Sequence, residues 1–69
     1  MASRDEVLQY ISNRSGVPVE ELKDDLKVNQ IKTGELISFC AIEFGKRVRV
    51  DRYADFTLGN LISQLVDKA

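Results

Sequence analysis

The sequence predicts an all-α single domain spanning residues 1–69, and three stretches predict it. Ser3-x-x-Glu6 is a capping box ahead of Val7, Leu8 and Ile11 at helical spacing. Leu26 to Gly45 is a long run whose interior, Leu36 to Ile42, is apolar almost all round. Leu58, Leu61, Ile62, Leu65 and Val66 then fall at i, i+3, i+4, i+7 and i+8, an amphipathic stripe.

Taken in order, the first helix is expected from Ser3 to about Arg14, with Ser15-Gly16 ending it. Val17-Pro18-Val19 reads as extended, because proline biases its predecessor away from the helical region. Glu20-Glu21-Leu22 reads as a short turn, with Leu22 and Leu26 plugging the core. The paired acids Asp24-Asp25 fit a cap or a solvated loop better than a metal site, since the chain has no histidine. The run from Leu26 to Gly45 reads as one long central helix with its lead-in, stopped by Gly45 and packed on more than one side. Beyond it, Lys46-Arg47-Val48-Arg49-Val50-Asp51-Arg52 alternates valines with cations, placing Val48 and Val50 inward and Arg47, Arg49 and Arg52 in water. Four cations within seven residues are able to grip a phosphate or an acidic partner; a solvated loop is the plainer reading. Tyr53 to Phe56 reads as a short third helix, and Thr57 caps the last.

The totals exclude several classes of function. A chain of 69 residues buries only about 60% of its unfolded surface, which leaves no room for a deep pocket beside a core. A net charge of −1 and a pI near 5.3 give no global field to draw in nucleic acid or an anionic membrane. No apolar run approaches the length of a bilayer span, and Met1 to Glu6 lacks the apolar core of a signal peptide, so a cytoplasmic protein is expected. With a single cysteine, Cys40, inside the central helix, a buried small hydrophobe is expected. Histidine-based catalysis is excluded, and nothing else assembles a nucleophile, a base and a pocket, so the chain is not expected to be an enzyme.

The ordered set Gly16-Val17, Asp24-Asp25-Leu26, Glu35-Leu36, Glu43-Phe44-Gly45 and Phe56-Thr57-Leu58-Gly59-x-Leu61-Ile62 resembles the acyl carrier protein family, including peptidyl carrier domains. The resemblance runs from about Asp5 to Val66 and implies a four-helix bundle with a short third helix. Members of that family carry a serine in an Asp-Ser-Leu motif at the start of helix two, and phosphopantetheine is attached to its hydroxyl. Counting back from Glu35-Leu36 without gaps places Asn29-Gln30-Ile31 on the motif. Gln30 has no hydroxyl to accept the phosphodiester, Asn29 has lost the acid, and Ile31 alone keeps the apolar role. Thr33, about one turn downstream, and Ser38, in mid-helix, lie away from the docking point of a modifying transferase. No phosphopantetheine cofactor is therefore expected.

The partner-facing surface departs from the family as well. Ala41 and Ile42 stand where acids are frequent, and Lys27 and Lys32 add positive charge at the helix start. Ile37 is expected under the loop between helices one and two; Ile42 either joins it there or is exposed, which favours an apolar contact with a partner protein or a second copy. Lys27, Asn29, Gln30, Ile31, Lys32, Ile42, Arg47 and Arg49 are the candidate partner-binding residues. The expectation is an interaction module that recruits or regulates a biosynthetic enzyme, or self-associates, without a prosthetic arm. The alternative is a working carrier whose attachment serine is replaced by Gln30. Nucleic-acid binding through Lys46, Arg47, Arg49 and Arg52 is disfavoured by the charge balance and the absence of aromatic residues within the cluster.

Overall fold

The computed structural model describes residues 3–31 and 35–66. Within them the chain is mostly helical and has no β-strand. The α-helices are α1 (Arg4–Ser15), α2 (Leu36–Phe44) and α3 (Leu58–Leu65), and single 3-10 turns lie at Val19–Glu21, Val28–Gln30 and Tyr53–Asp55.

Helix α1 forms where the capping signals place it. The Ser3 Oγ accepts from the Glu6 amide at 3.2 Å, and Gly16, at φ 75°, closes the far end by donating to Ser12 O. The Glu6 carboxylate does not reach back to the backbone; it accepts from the Ser3 hydroxyl at 3.4 Å. Val7, Leu8 and Ile11 are the buried stripe. Helix α3 is capped by Thr57, whose Oγ1 accepts from the Asn60 amide at 3.3 Å, and it buries Leu58, Leu61, Ile62 and Leu65.

The central stretch is a correction. The long helix expected from Leu26 is only α2, Leu36–Phe44, ended by Gly45 at φ 61°. Two physical causes remove the leading half. Val28, Asn29 and Ile31 are weak helix formers. The backbone from Asp24 to Val28 is also engaged elsewhere: it pairs antiparallel with the start of α3. The Val28 amide donates to Phe56 O at 2.8 Å, Leu58 donates to Leu26 O at 2.8 Å, and Gly59 donates to Asp24 O at 3.0 Å, around an isolated bridge between Lys27 and Thr57. A peptide unit that pairs across the fold does not also complete a helical turn. Glu35 then enters α2 at φ 55°, a left-handed conformation that a residue with a Cβ adopts at some strain.

Helix α2 packs against both α1 and α3, as expected of a helix covered on more than one side, and only its outer stripe is bare. Leu36 and Cys40 are buried and Ile37 is partly buried against them, but Ser38, Ile42 and Glu43 are exposed. After α2, Val48 packs on the core as expected, whereas Val50 stands at the surface. The expected short third helix is the one-turn Tyr53–Asp55.

The core gathers Val7, Leu8 and Ile11 of α1, Leu36 and Cys40 of α2, and the buried stripe of α3. Leu22, Val28, Ile31 and Phe56 from the connections fill the spaces between. Among the described residues no polar or charged residue is buried, so apolar burial carries the fold. A cluster of rings seals the α1–α2 seam. Tyr10 and Phe44 meet edge to face at 5.5 Å, and the Arg14 guanidinium lies 4.2 Å above the Phe39 ring.

Candidate functional site

Gln30 closes the Val28–Gln30 turn, and that turn ends well before α2 begins. It is therefore not at the leading end of the central helix, as the sequence reading placed it. The side chain is put to local use: Gln30 Oε1 accepts from the Lys27 amide at 3.2 Å, tying the end of the turn to its beginning. An amide carbonyl on a side chain of this length spans the turn. It has no hydroxyl to form a phosphodiester, so the residue present does not fit an attached phosphopantetheine.

The other candidate residues divide by exposure. Lys27, Asn29 and Gln30 are exposed on the segment that pairs with α3. Ile31 is 5% exposed and belongs to the core, so its side chain is not presented to a partner. Lys32 and Thr33 lie outside the described residues. Ile42, at 81% exposure, is the barest large apolar side chain of the described residues and shares the outer stripe of α2 with Ser38. Ile37 is partly buried, in line with its expected place.

Arg47 and Arg49 are exposed on the irregular segment 46–52. Gln64 fastens this segment to α3. The Arg49 amide donates to Gln64 Oε1 at 2.7 Å, and Gln64 Nε2 donates to Arg49 O at 3.0 Å. Gln64 thus treats the Arg49 backbone as a neighbouring strand would, satisfying both groups. Two adjoining hollows that share Arg49 and Gln64 run along the seam. Arg47 and Arg49 line them with Ser63 and Gln64, not with Lys27, Asn29 or Gln30. The candidate residues thus occupy separate places. Gln64 and Ser63 were missed from the sequence, although α3 carried a signal: Leu58 to Leu65 contains no charged residue beside a strongly basic segment.

Cys40 is fully buried, and burial pushes its thiol from 9.0 up to about 11, with the positive charge of Arg14 pulling partly the other way. A thiol held protonated in this way is a poor nucleophile. Among the described residues there is no group of three or more metal-ligating side chains, and no helix is long and apolar enough to cross a membrane. No family model, curated protein or solved structure matches this chain.

Proposed function

We propose that this chain is a cytoplasmic protein–protein interaction module of carrier-protein-like build that recruits or regulates a biosynthetic enzyme without carrying a phosphopantetheine arm. The observation that carries the proposal is Gln30, an amide where alignment along the sequence puts the attachment serine, with its oxygen committed to the Lys27 amide. The order of elements supports it. A first helix, a long irregular connection, a central helix, the one-turn Tyr53–Asp55 and a closing helix follow the carrier pattern, with the central helix shortened. On this reading the bundle is of the four-helix type, with the Tyr53–Asp55 turn in place of its short third helix. The setting, fatty acid, polyketide or nonribosomal peptide synthesis, comes from the resemblance alone. Exposed Ile42 and the cations Lys27, Arg47 and Arg49 then serve a partner other than the basic patches that meet acidic carriers.

The test is incubation with a broad-specificity phosphopantetheinyl transferase and coenzyme A, followed by intact-mass measurement. The expected result is an unchanged mass. A gain equal to one prosthetic arm would overturn the proposal. The second reading, a carrier whose serine has been replaced, is favoured by the preserved spacing from Gln30 to Glu35-Leu36 and on to Glu43-Phe44-Gly45. Gln30→Ser separates the two: loading of this variant supports the replaced carrier, and failure to load supports the diverged module.

A further inference from the structure

A third hollow, shallow and open, of about 430 Å³, lies between α1 and the last turn of α2. Its floor is apolar. Tyr10 and Phe44, the rings that meet edge to face at 5.5 Å, both border it half-buried. Its rim is acidic, with Asp5 and Glu6 in the first turn of α1 and Glu43 beside Phe44 on α2. Gln9 and Asn13, which continue the α1 wall at helical spacing from Glu6, are neutral.

This charge is not settled within the molecule. Among the described residues no cation lines the hollow, and none of its three carboxylates makes an ion pair. The cations nearest along the chain are engaged elsewhere. Arg4 pairs with Asp24, Arg14 lies over the Tyr10 and Phe39 rings and donates to Tyr10 Oη, and Lys46 lines the hollow beside α3. Even with Arg14 counted, the surroundings of the hollow stay negative. Asp5 and Glu6 have a local reason to be acidic, since carboxylates suit the positive end of a helix. Glu43 has none: it stands in the last turn of α2, where a carboxylate is disfavoured and no basic residue offsets it.

We infer that this hollow seats an arginine side chain carried on a basic segment of a partner protein. Rings favour a flat cation against their faces, and the three carboxylates supply its countercharge. The molecule already stacks an arginine on the same ring cluster, with the Arg14 guanidinium 4.2 Å from the centre of Phe39. An anion would be repelled by the rim, and a wholly apolar occupant would bury its carboxylates without partners. None of the candidate residues of the interaction-module reading lines this hollow, so the inference goes beyond that reading and is tested apart from it.

The test is fluorescence anisotropy on the full chain, with a fluorescein-labelled peptide of alternating arginine and serine, beside a lysine-and-serine peptide of equal length. Binding that weakens with added salt is expected. The arginine peptide should bind tighter by about threefold or more, because a compact ammonium stacks less well. Glu43→Gln keeps the side-chain length, relieves α2 of a disfavoured charge, and is expected to weaken the arginine peptide by about threefold. D5N with E6Q is expected to weaken it by about fivefold or more. That pair gives up favourable charges at the start of α1, so circular dichroism checks the fold, and Glu43→Gln decides the matter should the helix be disturbed. Phe44→Leu keeps the seam apolar and is expected to abolish the preference for arginine over lysine. Asp51→Asn, an equal charge change in a hollow beside α3, is expected to leave binding unchanged.

Affinity unaltered in both Glu43→Gln and the D5N/E6Q pair overturns the inference. So does an equal loss in Asp51→Asn, which would mean attraction to the molecule at large and not to this hollow. A lysine peptide bound as tightly as the arginine one, or an arginine preference that survives Phe44→Leu, rejects the ring seat. Salt-sensitive self-association abolished by Glu43→Gln overturns the partner in favour of a second copy.

Discussion

Gly59 is the residue on which the contact between the long connection and α3 depends, and Gly59→Ala tests that contact. A Cβ at this position would lie 3.1 Å from the Asp24 carbonyl oxygen, 3.2 Å from the Asp24 Cβ and 3.5 Å from its Cα. The first two are tighter than ordinary van der Waals contact, so either Asp24 or the start of α3 has to yield. Neither is free to do so. The Asp24 carbonyl accepts the Gly59 amide at 3.0 Å, its carboxylate pairs with Arg4, and Leu26 O accepts the Leu58 amide at 2.8 Å. In a helix, alanine is favoured over glycine by up to about 1 kcal/mol. Overpacking costs about 1–3 kcal/mol, and a hydrogen bond lost to relieve it about 1 more. The balance predicts a net loss of about 1–3 kcal/mol, which in a domain of this size lowers the midpoint by about 4 °C or more. Thermal unfolding followed by far-UV circular dichroism measures it. A variant melting at or above the parent would show that Asp24 moves aside freely and would refute the close-packed contact.

Two other predictions concern burial. The Cys40 thiol is raised in the folded chain, so the stability it contributes is complete below pH 9 and declines as pH rises from 9.0 through about 11. The decline should reach roughly 2–3 kcal/mol and be missing from Cys40→Ala, with equal pH profiles for the two proteins counting against it. In urea unfolding, Ile42→Ser is expected to change stability by less than about 0.5 kcal/mol, because the side chain is 81% exposed. Leu61→Ala, at 0% exposure, is expected to cost about 2–5 kcal/mol. Similar midpoints for these two variants would contradict the burial pattern.

The helices at either end were legible because their signals are local. Ser3 and Thr57 cap through a neighbour three positions away, Gly16 takes its turn alone, and each buried stripe repeats within its own helix. The central stretch was legible in its apolar half and its stop, and misleading in its first half. There the deciding interaction is between Leu26 or Val28 and residues around Phe56, and no window along the chain contains both partners. Val50 failed for a related reason: alternation predicts an inward face only where a segment runs straight beside a core, and Val48 alone meets it. Of the candidate site, the cations at Arg47 and Arg49 could be seen in advance. The amide of Gln64 that holds Arg49 could not, because its partner there is the backbone, and a backbone looks alike at every position.

The pairing between Asp24–Val28 and the start of α3 has a further consequence, for the order in which the molecule assembles and comes apart. It joins positions about thirty residues apart by main-chain bonds, so this fold waits on a wide loop closing where a plain helical hairpin would not. Once closed, the first turn of the last helix is stitched to the middle of the chain and does not come away alone. Amide protons at Val28, Leu58 and Gly59 should then exchange with solvent only when the whole domain opens.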